Sequence, residues 1–306
     1  MSLAPLRFDG RVAVVTGAGR GIGAAYASLL ASRGARVIVN DLGTSQAGMG
    51  TDSAPAAAQA ERIRLAGGAA EPDTCDVTVP DGARALVDHA VSAFGRLDIV
   101  VNNAGIHWTD SFPEISLADL EKQYAVHAGG SFNVARAAWP HLCASGSGRM
   151  VMTTSTGALG AADRVSYGTA KAAVLGLGRA LAMAGQPHGI KVNIVAPLAM
   201  TRMAGAPDGA APVDPERDPS LVAPLVAILC HESCPVNGET YLSGLRRTAR
   251  LFIAEAEGYT HPSAELTAEQ VLGHWDEIND ISRQHLVPDT YTQSALNRQR
   301  IAAEAV

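Results

Sequence analysis

The chain has 306 residues, 47% hydrophobic and 18% charged, with a formal net charge of -6. That is more apolar than a disordered chain and enough for one large core, or a core with a small appendage. The acidic balance speaks against nucleic acid as a partner, and no apolar run reaches the roughly 18–20 residues of a membrane span.

The N-terminal stretch MSLAPLRFDGR lacks the apolar core of a secretion signal, and the chain closes on Glu304, Ala305 and Val306 rather than a Ser-Lys-Leu address. A cytoplasmic protein is expected. The four cysteines, Cys75, Cys143, Cys230 and Cys234, are then expected as free thiols. The run Cys230-His231-Glu232-Ser233-Cys234 has the look of a metal clip, but no second ligand pair follows at zinc-finger spacing. Buried residues at a helix end are the expected reading, and no metal site is expected.

Val12–Val15 is a continuous apolar run, the pattern of a strand covered on both faces. A glycine-rich turn, a helix through Ala24–Ser32 and a second strand at Arg36–Val39 follow. Residues 42–57, rich in Gly, Ser, Thr and Ala, are predicted as a long loop. Beyond it, strands are predicted at Asp98–Val101, Arg149–Thr153 and Lys191–Val195, with helices over 81–94, 117–139 and 165–184. Residues 198–220 carry Pro207, Pro212, Pro215 and Pro219, which marks a lid-like loop. A last helix is predicted at Thr267–Ile278, capped by Ser263 or Thr267.

Strands alternating with helices imply an α/β fold: a Rossmann-type doubly wound parallel sheet flanked by helices. Residues 1–245 are expected to form the catalytic domain. Residues 246–306 are expected as a C-terminal helical extension packed on that same domain.

The turn Thr16-Gly17-Ala18-Gly19-Arg20-Gly21-Ile22-Gly23 joins the first strand to the first helix. Such a turn aims backbone N–H groups and a positive helix end at a pyrophosphate, and glycines allow the close approach. Its spacing is G-x-x-x-G-x-G rather than G-x-G-x-x-G. Asp41 ends the second strand, where a carboxylate accepts hydrogen bonds from the adenosine ribose and repels a 2′-phosphate. No Arg or Lys lies in the next ten positions, which favours NAD.

Tyr167 and Lys171 stand four apart in a predicted helix and so share a face. A nearby ammonium favours the phenolate and suits Tyr167 to proton exchange with a hydroxyl. Ser155 follows the apolar strand at its C-terminal end, where open α/β sheets bind ligands. Only three lysines occur, Lys122, Lys171 and Lys191, so lysine at 171 departs from the chain's preference for arginine.

With these residues in order, the chain resembles the short-chain dehydrogenase/reductase family. The family's TGxxxGIG turn matches Thr16–Gly23, its Asp-Val pair Asp76-Val77 and its NNAG run Asn102–Gly105. Its Ser and YxxxK set matches Ser155, Tyr167 and Lys171. The resemblance implies Tyr as the acid/base, Lys on the nicotinamide ribose and Ser orienting the substrate. It also implies cofactor contacts from Gly17, Arg20, Gly21, Ile22, Gly23, Asp41, Asp76, Val77, Asn103, Ala104, Gly105, Tyr167, Lys171, Pro197 and Thr201.

The phrases Val39–Gly43, Arg136–His141 and Leu229–Cys234, with the tail from 246, are most similar to the (3R)-hydroxyacyl-CoA dehydrogenase modules of peroxisomal multifunctional enzymes. The family's helix asparagine, which holds a proton-relay water, is replaced by His127, and its Pro-Gly after the sixth strand by Pro197-Leu198. His127 either supports the relay or fills space.

The expected function is therefore NAD-dependent interconversion of a secondary alcohol and a ketone, with a 3-hydroxyacyl-CoA as the substrate. Alternatives are a steroid or other hydrophobic cyclic alcohol, or a dinucleotide sensor without catalysis. The resemblance implies a homodimer or homotetramer acting on a small molecule, with no membrane and no nucleic acid.

Overall fold

In a computed structural model of the chain, residues 4–199, 214–263 and 265–304 are described. The chain forms two compact units, Met1–Arg250 and Leu251–Val306.

The first unit is built on eight strands: β1 (Val12–Thr16), β2 (Arg36–Asn40), β3 (Ala69–Asp73), β4 (Ile99–Asn102), β5 (Arg149–Thr153), β6 (Lys191–Leu198), β7 (Thr240–Gly244) and β8 (Arg247–Leu251). Their order is β3-β2-β1-β4-β5-β6-β7-β8, and every pair from β3 to β7 is parallel. Leu245 and Arg246, at φ 52° and 58°, link β7 to β8. A two-residue link of that hand makes an antiparallel hairpin.

Among the described residues, seven helices flank the sheet: α1 (Gly21–Ser32), α2 (Ala54–Leu65), α3 (Pro80–Phe94), α4 (Leu117–Tyr124), α5 (Gly130–Ala144), α6 (Val165–Gly185) and α7 (Ala223–Cys230). Alternation along the strands sorts the core into two layers. Ala13, Val15, Val37 and Val39 pack on α1, α2 and α7 through Leu30, Ile63 and Leu229. Val12, Val14 and Ile38 face α3, α5 and α6 through Leu86, Leu142 and Val174. Each such aliphatic chain contributes roughly 1.5–3 kcal/mol when fully buried. Helix α6 lies close on β6 because Gly178 has no Cβ, which would stand 2.6 Å from Ile194.

The parallel sheet and its flanking helices match the sequence expectation. The segment predicted as loop 42–57 is shorter, because α2 begins at Ala54; α2 and β3 were not anticipated. The helix predicted over 117–139 is α4, a π-helical turn at Ala125–Gly129 and α5, which continues to Ala144. Within the expected lid, β6 runs on to Leu198 and short 3-10 turns occupy Pro215–Arg217 and Pro219–Leu221; residues 200–213 lie outside the described residues. The first unit closes at Arg250 rather than 245 because β8 completes the hairpin.

The second unit holds an antiparallel pair, β9 (Ala254–Ala256) and β10 (Gln284–Leu286), with helices α8 (Ala268–Gly273), α9 (Trp275–Ile278) and α10 (Thr290–Glu304). Thr267 caps α8 in a reciprocal box with Gln270, so the predicted cap is Thr267. The helix predicted at 267–278 is divided at His274, whose ring stacks on Tyr259 at 3.6 Å.

Candidate active site

Strand order reverses between β1 and β4, so a crevice opens beyond the carboxyl ends of these strands. The glycine turn fills one side of it. Thr16 Oγ1 accepts the N–H groups of Asn103 and Ala104 at 2.9 and 3.0 Å, and Asn103 Nδ2 donates to the carbonyls of Thr16 and Gly17 at 3.0 and 3.1 Å. Gly17 has φ 62°, and a Cβ there would stand 2.9 Å from Ala104 Cα. At Gly23 a Cβ would lie 2.2 Å from Gly17 O. Arg20, the N-cap of α1, makes no side-chain capping bond, which leaves first-turn N–H groups to face the crevice.

Asp41 lies beside the turn. Its carboxylate accepts from Gly19 N–H at 2.9 Å and Gly43 N–H at 2.8 Å, which fixes its orientation. The Arg20 guanidinium donates to Thr44 O at 3.0 Å. Asp76 accepts from the Thr78 N–H and hydroxyl at 2.8 and 2.7 Å, while Asn133 Nδ2 holds the Val77 and Thr78 carbonyls at 3.1 Å each. Glycines that admit no Cβ, an uncapped helix start and an acid at the end of β2 fit a dinucleotide.

Ser155 follows β5, with its Oγ accepting the Gly157 N–H at 3.1 Å. Gly157 makes room for the Tyr167 ring; a Cβ there would be 3.2 Å from two ring carbons. Asp110 caps α6 from a distant loop, accepting the Val165 N–H at 2.6 Å and contacting the Ser166 hydroxyl. Lys171 is buried one turn on, with Nζ donating to Thr153 O at 2.8 Å and lying 5.8 Å from the Tyr167 ring centroid. Burial lowers the Lys171 ammonium to about 7. Contrary to the lowering expected from the Lys171 ammonium, burial raises the Tyr167 phenol overall, and the Ser155 hydroxyl and the Arg164 charge offset only part of that rise.

His127 is 1% exposed in the π-helical turn. Its Nε2–H donates to Ile106 O at 2.9 Å and Gln123 Oε1 at 3.1 Å, which assigns the lone pair to Nδ1. Desolvation, with the nearby Lys171, holds it well below the usual histidine range, so it is neutral. The ring meets Tyr167 edge-on at 5.4 Å.

The structure thus gathers Ser155, Tyr167, Lys171 and His127 at one crevice and the glycine turn, Asp41 and Asn103–Gly105 beside it. Pro197 lies near the end of β6, and Thr201 lies outside the described residues. Sequence reasoning missed His107 and Arg164. The signal for His107 was its place two residues after Gly105; Arg164 carried no motif. The Cys230–Cys234 run closes the opposite end of the sheet. Both nitrogens of His231 are engaged, by Ser233 and by Arg7 O, and both thiols are buried.

This architecture and site define the class: the chain belongs to the short-chain dehydrogenase family, whose sequence profile matches residues 11–207. It is therefore an oxidoreductase acting on CH–OH groups with a nicotinamide dinucleotide, NAD or NADP. It is 40% identical over 284 residues to peroxisomal multifunctional enzyme type 2 of Drosophila melanogaster, covering 91% of this chain and 46% of that protein. The chain thus spans about half the length of that relative. The full-length structure of the Drosophila enzyme aligns with a TM-score of 0.79 and 32% identity over 97% of this chain and 50% of the other. A short chain dehydrogenase from Mycobacterium avium aligns at TM-score 0.74 and 33% identity, covering 89% and 95% of the two chains. A 7α-hydroxysteroid dehydrogenase, complexed with NADH and 7-oxo glycochenodeoxycholic acid, aligns at 0.68 and 29% identity, covering 77% and 93%.

Proposed function

We propose that the chain is an NAD-dependent dehydrogenase that interconverts a 3-hydroxyacyl-CoA thioester and its ketone. The observation that carries the chemistry is Tyr167 set beside Ser155 and Lys171 at the crevice that the glycine turn lines. In oxidation Tyr167 takes the hydroxyl proton in its phenolate form, which the Ser155 hydroxyl and the Arg164 charge favour against the cost of burial, while Ser155 Oγ orients the reacting oxygen. Lys171 contacts the nicotinamide ribose and exchanges protons readily near neutral pH. Bound NAD supplies the acceptor for the hydride leaving carbon, so O–H and C–H bonds break as C=O forms. His127 stays neutral, its ring edge-on to Tyr167 and its Nδ1 buried without a partner.

The cofactor is held by the turn from Gly17 to Gly23, with Arg20 and Ile22 between, by Asp76 and Val77, by Asn103–Gly105 and by Pro197 and Thr201. NAD is preferred because Asp41, anchored by two backbone donors, repels a 2′-phosphate and the Arg20 guanidinium is turned to Thr44. Likeness to the multifunctional enzymes supports the thioester. A steroid alcohol is the second reading, supported by the bile-acid ligand of the 7α-hydroxysteroid dehydrogenase. A sensor without catalysis fits less well, since both Tyr167 and Lys171 are in place. Exposed Phe132 on α5 and Met183 on α6 support assembly into a dimer or tetramer through these helices. Four unbridged thiols fit a reducing compartment such as the cytosol.

The test is NADH formation by purified protein with (3R)-hydroxyacyl-CoA thioesters beside a panel of steroid and simple secondary alcohols. Activity on the thioesters supports the substrate assigned. Activity confined to other alcohols keeps the dehydrogenase and discards the thioester.

A further inference from the structure

His107 is 8% exposed, and its ring stands edge-on to Tyr167 with centroids 4.8 Å apart and planes at 70°. His127 meets the same phenol ring at 5.4 Å and 85°. The backbone around His107 is pinned. Its N–H donates to Gln46 O at 2.9 Å, and the preceding carbonyl, of Ile106, accepts the His127 Nε2–H at 2.9 Å. Three residues on, Asp110 caps the helix that carries Tyr167. A single short stretch, 106–110, therefore seats His127, touches Tyr167 and fixes the start of α6.

We propose that His107 is a positioning residue for Tyr167: its neutral ring and that of His127 hold the phenol edge-on, and protonation of His107 releases it. The inference rests on the reading of Tyr167 as the acid/base. His107 Nδ1 is buried without a partner, so an added proton there meets no acceptor. The charged groups around the ring do not supply one. Lys171 and Arg164 are cations, and His127 is neutral. Asp110 is taken by α6, and Asp163 pairs with Arg164 at 3.3 Å. On the neighbouring α4, Lys122 is turned to Ala47 O and the Trp108 ring. Burial accordingly lowers the His107 pKa. The sign follows: activity falls as acid protonates His107, below the ordinary histidine value of about 6.5.

The experiment compares His107→Leu and His107→Phe in the full chain, reading kcat, KM for NAD and the pH profile with the best substrate. His107→Leu is expected to lower kcat on the order of tenfold, with KM for NAD nearly unchanged. His107→Phe keeps the edge-on ring and is expected to restore most of kcat while removing the His107 contribution to the acid limb, which becomes shallower than that of the unsubstituted enzyme. Unchanged kcat and pH profile in His107→Leu would overturn the proposal. So would a His107→Phe enzyme as impaired as His107→Leu, or one whose acid limb is the same as that of the unsubstituted enzyme. If His107→Leu fails to fold, the His107→Phe profile decides alone. Tyr167→Phe separates the two readings: surviving turnover there sinks the acid/base role itself, whereas lost turnover with silent His107 variants sinks only this proposal.

Discussion

The two ends of the parallel sheet treat buried polar groups in opposite ways. At the amino end, buried Asp98 accepts from the Val12 N–H at 3.0 Å, Arg11 at 3.1 Å and Arg96 at 2.5 and 2.8 Å. Arg149 donates to the carbonyls of Gly148, Gly189, His231 and Glu232. At the carboxyl end, His107 Nδ1, His127 Nδ1, Gln123 Nε2 and Thr153 Oγ1 are buried without partners, and Lys171 is desolvated to about 7. Saturated groups lock strands in register, whereas unsatisfied ones are costly and persist where chemistry uses them. The same strands thus serve stability at one end and reactivity at the other.

Substitutions at the two ends should separate these roles. The largest effect is expected for Tyr167→Phe: turnover falls about 10²–10⁴-fold, the usual worth of a positioned acid/base, with little change in the melting midpoint. Asp98→Ala should do the reverse. Losing it leaves the buried Val12 N–H without an acceptor and takes one partner from Arg11, which keeps Ser147 and Glu232, at about 1–3 kcal/mol of stability by urea titration, while activity per folded molecule is retained.

Lys171→Met joins the two readouts. Because burial lowers the Lys171 pKa to about 7, the unfolded chain binds the extra proton between there and its own value near 10.4. Wild-type stability therefore gains from this group as pH rises through that window, and the variant lacks the gain. Urea midpoints at both ends of the window test it; parallel curves would contradict the buried ammonium. The smallest effect is expected for Asp41→Ser, which should shift the NADP-to-NAD preference on the order of tenfold by removing a like charge.

How far the sequence could be read depended on whether structure was written locally. β1 carries the apolar run Val12–Val15 and β5 the apolar centre Met150–Met152, and the glycine turn and the Tyr167/Lys171 pair are fixed by short spacings, so all were legible. β3 was not: its sequence AAEPD has no β-branched residue and forms a strand only because β2 offers it a ladder. Pro72 is tolerated there because β3 is the sheet edge. α2 was hidden by alanines that continue the composition of the loop before it. His107 reaches Tyr167 only through tertiary placement, its one signal being the neighbouring Asn102–Gly105 run, whereas Arg164 is the N-cap residue of the helix that carries Tyr167 three residues on and was overlooked for want of a motif.

The seat of the glycine turn has a consequence for the order of assembly. The turn belongs to β1, yet the groups that brace it, Asn103 and Ala104, arrive with β4, some 87 residues later. A growing chain that has made only β1, α1 and β2 carries the motif without its support. Contacts of such separation form late, after the intervening loop has been closed. A dinucleotide therefore selects chains whose sheet has already joined across the β1–β4 seam, and its binding stabilises that closed state by mass action.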